Sequence, residues 1–213
     1  MHQKRLSMNK LWPIPKKGKK FVVVPRNNGK LGIPVLVAMR DILKHVETRK
    51  ELKKVLLEGK IEVNGYPIKD ERYSLVLFDS LSIPVLNKYY KVSLSKSGKI
   101  IFEESNEKEA NRKITKVVNK KLLSENKMQF NMIDGINIIS KEKINICDSV
   151  IINLKDKKIE KILPIKEKSE IIIIKGKHLG HKGKVLKISN GIVKISLDSG
   201  EVNLNKDAIM VLD

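Results

Sequence analysis

The feature that most constrains this chain is its punctuation. Short runs rich in β-branched residues are separated by turn dipeptides, densest toward the C-terminus. Ile171–Ile174, Val185–Ile188, Ile192–Leu197, Val202–Leu204 and Ile209–Leu212 are five such runs, with Asn190-Gly191 and Ser199-Gly200 between them. Runs this short cannot be helices of ordinary length, and tight Gly turns join antiparallel neighbours. The pattern predicts a small SH3-like barrel over residues 169–213. A glycine- and lysine-rich loop, Gly176-Lys177-His178-Leu179-Gly180-His181-Lys182-Gly183-Lys184, interrupts its first hairpin. There Gly183 is expected to supply backbone freedom beside a strand.

Residues 88–168 carry the same signature: Tyr89–Leu94, Lys99–Glu104, Val150–Leu154 and Lys158–Leu163 read as strands, and Asp134-Gly135 as a turn into Ile136–Ile139. One stretch, Glu109–Leu123, reads as a helix. The pattern changes upstream. Val35, Leu36, Met39, Ile42, Leu43 and Val46 recur at three-to-four spacing, one face of a helix with Arg40, Asp41, Lys44 and His45 opposite. Thr48-Arg49-Lys50-Glu51 spells a capping box for a second helix, with Leu52, Val55 and Leu56 as its buried stripe and Gly59 as its stop. A strand over Lys60–Val63 and an Asn64-Gly65 hairpin turn follow, with further strand material at Leu75–Phe78 and Leu81–Ile83. The predicted class is therefore α+β and multidomain.

Charge then limits the function. The 213-residue chain has a formal net charge of +20, and residues 1–54 hold fifteen Lys/Arg against three acids. Such a surface repels itself until a polyanion neutralises it, and nucleic acid offers the densest regular negative charge. A membrane is the rival partner, but no apolar run approaches the roughly 18 residues of a spanning helix. The start Met1-His2-Gln3-Lys4-Arg5 is not followed by the apolar stretch of a signal peptide. Cys147 is the single cysteine, which fits a reducing compartment. A soluble, cytoplasmic protein with no membrane partner is expected. The first twenty residues, seven of them basic and none acidic, read as an extended arm that orders against a partner, with Trp12 free to stack in an RNA crevice. Aromatics are only 4% of residues, which argues against a single-strand stacking platform.

No P-loop, GxGxxG after a strand or nucleophile elbow is present. His178 and His181 have a metal-compatible spacing without a convincing third ligand. No enzyme, cofactor, metal or small-molecule substrate is expected. Basic residues in the first turn of the second helix oppose its macrodipole, which a phosphate docked at that N-terminus would convert into attraction. The expected RNA contacts are Lys4, Arg5, Lys10, Trp12, Lys16, Lys17, Lys19 and Lys20 in the arm. Arg40, Lys44, Arg49, Lys50, Lys53 and Lys54 form a second set, and Lys177, His178, His181, Lys182 and Lys184 a third.

The Gly176–Val185 loop resembles the KOW motif of ribosomal and transcription-elongation proteins. The unit of helix, capped helix, strand and Asn-Gly turn resembles the α-L RNA-binding fold of bacterial ribosomal protein S-four and the pseudouridine synthases. In this order, from basic arm to glycine loop, the chain resembles the archaeal and eukaryotic small-subunit ribosomal protein S-four-e family. The matching stretches are Lys4-Arg5-Leu6, Leu11-Trp12, Ile33-Pro34-Val35, Arg40 to Lys44, Val63-Asn64-Gly65, Asp70, Phe78 to Ile83, Glu109-Ala110, Lys113 and Asp134-Gly135. The resemblance implies a basic arm over 1–32, an α-L-type RNA-binding domain over 33–86, a central β-rich domain over 87–168 and a KOW barrel over 169–213. It also implies a structural constituent of the small ribosomal subunit, held by ribosomal RNA and neighbouring ribosomal proteins. A KOW-type transcription elongation factor and a free α-L RNA chaperone are the alternatives. The chain departs from the family's usual pattern at Asn64, where Asp is usual, and at Ile136 and His181, where Arg is usual; its arm is also shorter.

Overall fold

A computed structural model describes residues 2–27, 31–123, 127–189, 191–198 and 200–212. Two compact units are present: residues 1–94 with 99–111, and residues 95–98 with 112–213. The described residues are mostly β-strand, with α-helix confined to short segments of the first unit and one 3-10 turn, Lys206–Ala208, in the second. No helix among them is long and apolar enough to cross a membrane.

In the first unit, β1 (His2–Lys4) pairs antiparallel with β2 (Phe21–Val23). The arm is thus folded rather than extended, a correction to the sequence reading. Its anchor is Trp12, which is 0% exposed and donates its indole N–H to the Gly32 carbonyl at 3.0 Å. A buried Trp contributes a large apolar area once its N–H is satisfied, and Met8 and Ile14 are buried too.

Next, β3 (Ile33–Pro34) pairs with β6 (Ser74–Leu75) and leads into α1 (Val35–Val37), which widens into a π-helical turn over Ala38–Ile42. Leu43 N–H donates to Ala38 O and His45 N–H to Met39 O, while Lys44 takes a left-handed φ of 55°. The expected helix is therefore real but stops early. The buried stripe of Val35, Leu36 and Met39 holds, whereas Ile42 and Leu43 are only partly covered. α2 (Arg49–Leu57) carries the full capping box: Glu51 N–H donates to Thr48 Oγ1 at 3.2 Å, and Glu51 Oε2 accepts from Thr48 N–H at 3.3 Å. Leu52 and Leu56 are buried beneath it.

β4 (Glu62–Val63) and β5 (Tyr66–Pro67) flank Asn64 and Gly65, with φ of 54° and 77°. Two consecutive positive φ values are what a two-residue hairpin turn of this twist requires. The Asn64 side chain is also structural: its Nδ2 donates to Asp79 Oδ1 at 2.8 Å and its Oδ1 accepts from Ser80 N–H at 3.0 Å. β7 (Ser80–Ile83), β8 (Lys88–Leu94) and β9 (Ile100–Glu104) complete an antiparallel sheet of order β5-β4-β7-β8-β9. Hydrogen bonding in this sheet continues across residue 87, because β7 pairs with β8. A single turn, α3 (Glu107–Ala110), follows.

The second unit contains two five-stranded antiparallel sheets. The first is ordered β12-β11-β10-β13-β14, from β10 (Arg112–Leu122), β11 (Met128–Met132), β12 (Asn137–Ser140), β13 (Ser149–Asn153) and β14 (Lys158–Leu163). β10 lies where a helix over Glu109–Leu123 was expected. Its β-branched residues Ile114, Thr115, Val117 and Val118 favour a pleated strand. It pairs with β13 over Arg112–Lys116 on one edge and with β11 over Val117–Leu122 on the other, the latter ladder having an irregularity between Val117 and Asn119. Lys113 is buried in this strand, and its ammonium meets Asp134 at 2.5 Å, both side chains being 3% exposed or less. Lys116 is also buried, its ammonium donating to Lys206 O and Ile209 O; burial lowers its pKa.

The second sheet is ordered β18-β17-β16-β15-β19, from β15 (Glu170–Ile173), β16 (Lys182–Ser189), β17 (Ile192–Leu197), β18 (Gly200–Asn205) and β19 (Ile209–Val211). All five expected runs are strands. Ile171, Ile173, Val185, Val193, Ile195, Leu197, Ile209 and Val211 share one core. Of the turn residues, Asn190 and Ser199 lie outside the described residues. Gly183 is needed for a different reason than expected. Its φ is not positive; instead, an added Cβ would stand 2.4 Å from Ser196 O and 2.8 Å from Leu197 Cδ2. The glycine permits close strand approach rather than an unusual dihedral.

Candidate nucleic-acid interface

The cations of the first unit divide into two kinds. Arg5 is pinned: its Nε donates to Lys19 O and its Nη1 to Pro15 O, both at 2.8 Å, while its own backbone N–H donates to Lys20 O. Arg40 forms a two-bond pair with Asp41 at 2.9 and 2.8 Å, and this hydrogen bonding raises its pKa against the opposing effect of burial. Arg49 grips Glu71 through Nε and Nη2. Glu71 is 6% exposed, and the hydrogen bond from Arg49 holds its carboxyl below the usual glutamate range. By contrast, Lys4, Lys10, Lys16, Lys17, Lys19, Lys20, Lys44, Lys50, Lys53 and Lys54 are all exposed.

Two open clefts gather part of this set. One, of about 570 Å³, is lined by Arg5, Lys19, Arg40, Asp41, Lys44, Val46 and Glu47. The other, of about 530 Å³, is lined by Lys4, Arg5, Leu6, Lys16, Lys17, Gly18 and Lys20. Arg5 belongs to both, so the arm and the end of the first helix form one continuous basic region. Lys50, Lys53 and Lys54 line neither cleft and stand on the exposed side of α2. Lys10 lines neither cleft as well.

The structure overturns the expectation for Trp12 and gives the start of α2 and Arg49 partners within the protein. Trp12 cannot stack on RNA, because no part of its ring reaches the surface. The N-terminus of α2, expected to seat a phosphate, holds the Glu51 carboxylate, which accepts from Glu47 N–H at 3.0 Å as well as from Thr48 N–H; these bonds lower the Glu51 pKa. Arg49 is committed to Glu71, a partner that composition did not single out.

In the second unit, Lys177, Lys182 and Lys184 are exposed, and His178 and His181 are half-buried with ring centroids 6.1 Å apart. The loop is held by Gly180 N–H to Ile173 O and Ile173 N–H to His181 O. A shallow cleft of about 330 Å³ beside it includes Lys182 and Lys184 but also Glu170 and Asp198. Its charge is therefore mixed. Among the described residues, no group of three or more His, Cys, Asp or Glu is placed to hold a metal.

The chain belongs to a class of ribosomal proteins, ribosomal family S4e, whose model matches residues 86–159 and whose members include proteins more than 30% identical to it over most of its length. Individual relatives make the membership specific. The small ribosomal subunit protein eS4 of Methanocella arvoryzae is 37% identical over 190 residues, 88% of this chain and 80% of that protein. Its counterpart in Archaeoglobus fulgidus is 34% identical over 187 residues, 87% of this chain and 79% of that protein. In fold, the chain matches the crystal structure of the 30S ribosomal protein S4e from Thermoplasma acidophilum with a TM-score of 0.72, at 22% identity, over 86% of this chain and 95% of that one.

Proposed function

We propose that the chain is a structural constituent of the small ribosomal subunit that binds ribosomal RNA through phosphate and shape contacts and performs no chemistry there. The observation that carries this reading is the basic region around Arg5, where arm cations line one open cleft and, beside Asp41 and Glu47, meet the first-helix cations Arg40 and Lys44 in a second. RNA duplexes hide their base edges in a deep, narrow groove, so cations meeting phosphates and 2′-hydroxyls are the expected mode. Residues 33–86, with helix, capping box, strand and Asn64-Gly65 turn, act as an α-L-type module. Residues 169–213 act as an SH3-like KOW barrel presenting Lys177, Lys182 and Lys184, with residues 87–168 as the connecting β-rich domain. Neighbouring ribosomal proteins are the other partners, and the site of action is the ribosome in the cytoplasm.

Sedimentation of a cell lysate tests this. Stoichiometric comigration with small subunits that survives a moderate salt wash is the expected result. A free pool that copurifies with RNA polymerase would replace the reading with a KOW-type elongation factor, and substoichiometric, transient ribosome binding would replace it with an RNA chaperone.

A further inference from the structure

The long strand β10 carries two different surfaces on one face. Near its start, Ile114 packs with Ile151 into the core of the C-terminal sheet, and the Lys116 ammonium donates to Lys206 O and Ile209 O of the same region. That half of the face is covered. Beyond the irregularity between Val117 and Asn119 the face continues in the open, and its residues are mostly amides. Asn119 stands opposite Asn131, and Asn131 opposite Asn137, so three asparagines form one row across β10, β11 and β12. The next row is Lys121, Gln129 and Ile139. Phe130 and Ile138 fill the core from the other side of the same strands, and strand alternation turns the amides outward. Asn119 and Asn137 are exposed, Asn131 and Gln129 half-buried.

Asparagine is depleted in strands, and these three bury no core surface, so folding does not account for their alignment. Gln129 Nε2 donates to Asn131 Oδ1 at 3.0 Å, which orients the central amide with its NH2 as a donor to an incoming ligand. The two rows contain no carboxylate, and Asp134, in the turn between β11 and β12, is buried against Lys113. Lys121 within the face and Lys141 at the end of β12 are exposed cations. A row across three strands spans about 10 Å. Phosphate alone would favour lysines over amides, and an apolar protein surface would meet a single large hydrophobic, Ile139. Neutral groups that both donate and accept, set between phosphates, match the amides better. The wide, shallow minor groove of an RNA duplex displays 2′-hydroxyls of that kind. We propose that the amide row of β10, β11 and β12 binds 2′-hydroxyls across the minor groove of an RNA duplex, with Lys121 and Lys141 toward its phosphates. This rests on the reading of the chain as an RNA-binding protein and adds a surface that recognises ribose.

Two short duplexes of one sequence test it with the full chain: unmodified RNA, and RNA 2′-O-methylated on both strands, which keeps the phosphates and the A-form but removes the 2′ donors. The parent chain should bind the unmodified duplex about tenfold more tightly, the sum of several neutral hydrogen bonds worth a few-fold each. Replacing Asn119, Asn131 and Asn137 together by Ala should bring that preference within about twofold. The slope of log affinity against log salt should stay that of the parent, because no cation is lost. Asn131→Ala alone, at the centre of the row, should fall between the two, and an unchanged urea midpoint shows that a variant is folded. Equal binding of the two duplexes by the parent, a preference that persists in the variants, or a salt slope that falls with it overturns the proposal while leaving RNA binding intact. Binding to neither duplex overturns both.

Discussion

The second helix offers a separation of charge from structure that composition conceals. Arg49, Lys50, Lys53 and Lys54 look equivalent in sequence, but Arg49 hydrogen-bonds the buried Glu71, which Lys53 reaches only through its charge. Replacing Lys50, Lys53 and Lys54 together by Ala removes three exposed cations. If each meets a phosphate, the slope of log affinity against log salt flattens by about 0.7 to 0.9 per contact, or about two to three in all. Stability should scarcely change, because none of the three side chains supports the core. Arg49→Ala does the opposite. It strands the Glu71 carboxylate at 6% exposure and should cost about 1–3 kcal/mol, the penalty of an unsatisfied buried acceptor. Arg49 itself is half exposed, which keeps the figure below that of a fully buried pair. Protonation supplies the sign. Glu71 has a depressed folded pKa, so its contribution is present above the unfolded glutamate pKa and is lost as pH falls through the folded value. The stability gap between the parent chain and Arg49→Ala should therefore be widest near neutrality and close in acid. Urea titrations across pH, with filter-binding salt series on the same RNA, measure both effects. An unchanged salt slope in the triple lysine variant would refute the RNA-facing role of α2. A gap that widens in acid would refute the Glu71 argument.

Other substitutions test the fold that positions these surfaces. Asp134→Asn removes a carboxylate that the buried Lys113 ammonium meets at 2.5 Å and should lower stability by chemical denaturation by up to about 3–5 kcal/mol, whereas Lys113→Met with Asp134→Leu should recover most of that loss. Asn64→Asp sets a second carboxylate where an amide now donates to Asp79 at 2.8 Å. Destabilisation should be greatest at neutral pH and ease as acid protonates one of the pair, because like charges this close raise one pKa. Trp12 is the single tryptophan and fully buried. Its fluorescence should be blue-shifted in the free protein and unmoved by saturating RNA, and strong quenching by RNA would contradict its place in the core.

What sequence reasoning captured and missed follows the range of the interactions involved. The Thr48–Glu51 capping box and the Asn64-Gly65 turn are settled by residues within one helical turn or one hairpin, so pattern alone suffices. The five C-terminal runs are legible for the same reason, each being bounded by local turn chemistry. The helix expected over Glu109–Leu123 fails because two partner strands, β13 and β11, claim successive halves of β10, and long-range pairing overrides a weak local preference. The arm looked extended because its order depends on β2 and on Gly32, both distant in sequence from Trp12. For Gly183 the residue was noticed and its purpose missed, since crowding by Ser196 and Leu197 becomes visible only once β17 lies alongside. A lysine at 113 and an aspartate in an Asp-Gly turn were both in view, but nothing local says that they meet.

The cationic side chains divide their work by type. The chain has six arginines, and every one is engaged within its own unit: Arg5 with carbonyl oxygens, Arg26 with Asp70, Arg40 with Asp41, Arg49 with Glu71, Arg72 with Val24 O and Arg112 with Glu160. The guanidinium is a planar fork suited to two fixed acceptors, whereas the ammonium is a mobile, well-hydrated point charge. Arg5 and Arg49 tie separate segments of the first unit together, and lysine, apart from the buried Lys113 and Lys116, supplies most of the exposed charge. A lysine surface meets phosphates without demanding a fixed bidentate geometry, so it tolerates sequence variation in the RNA and gives up affinity readily to salt. On the proposed RNA-binding role, selectivity would come from shape rather than from base edges.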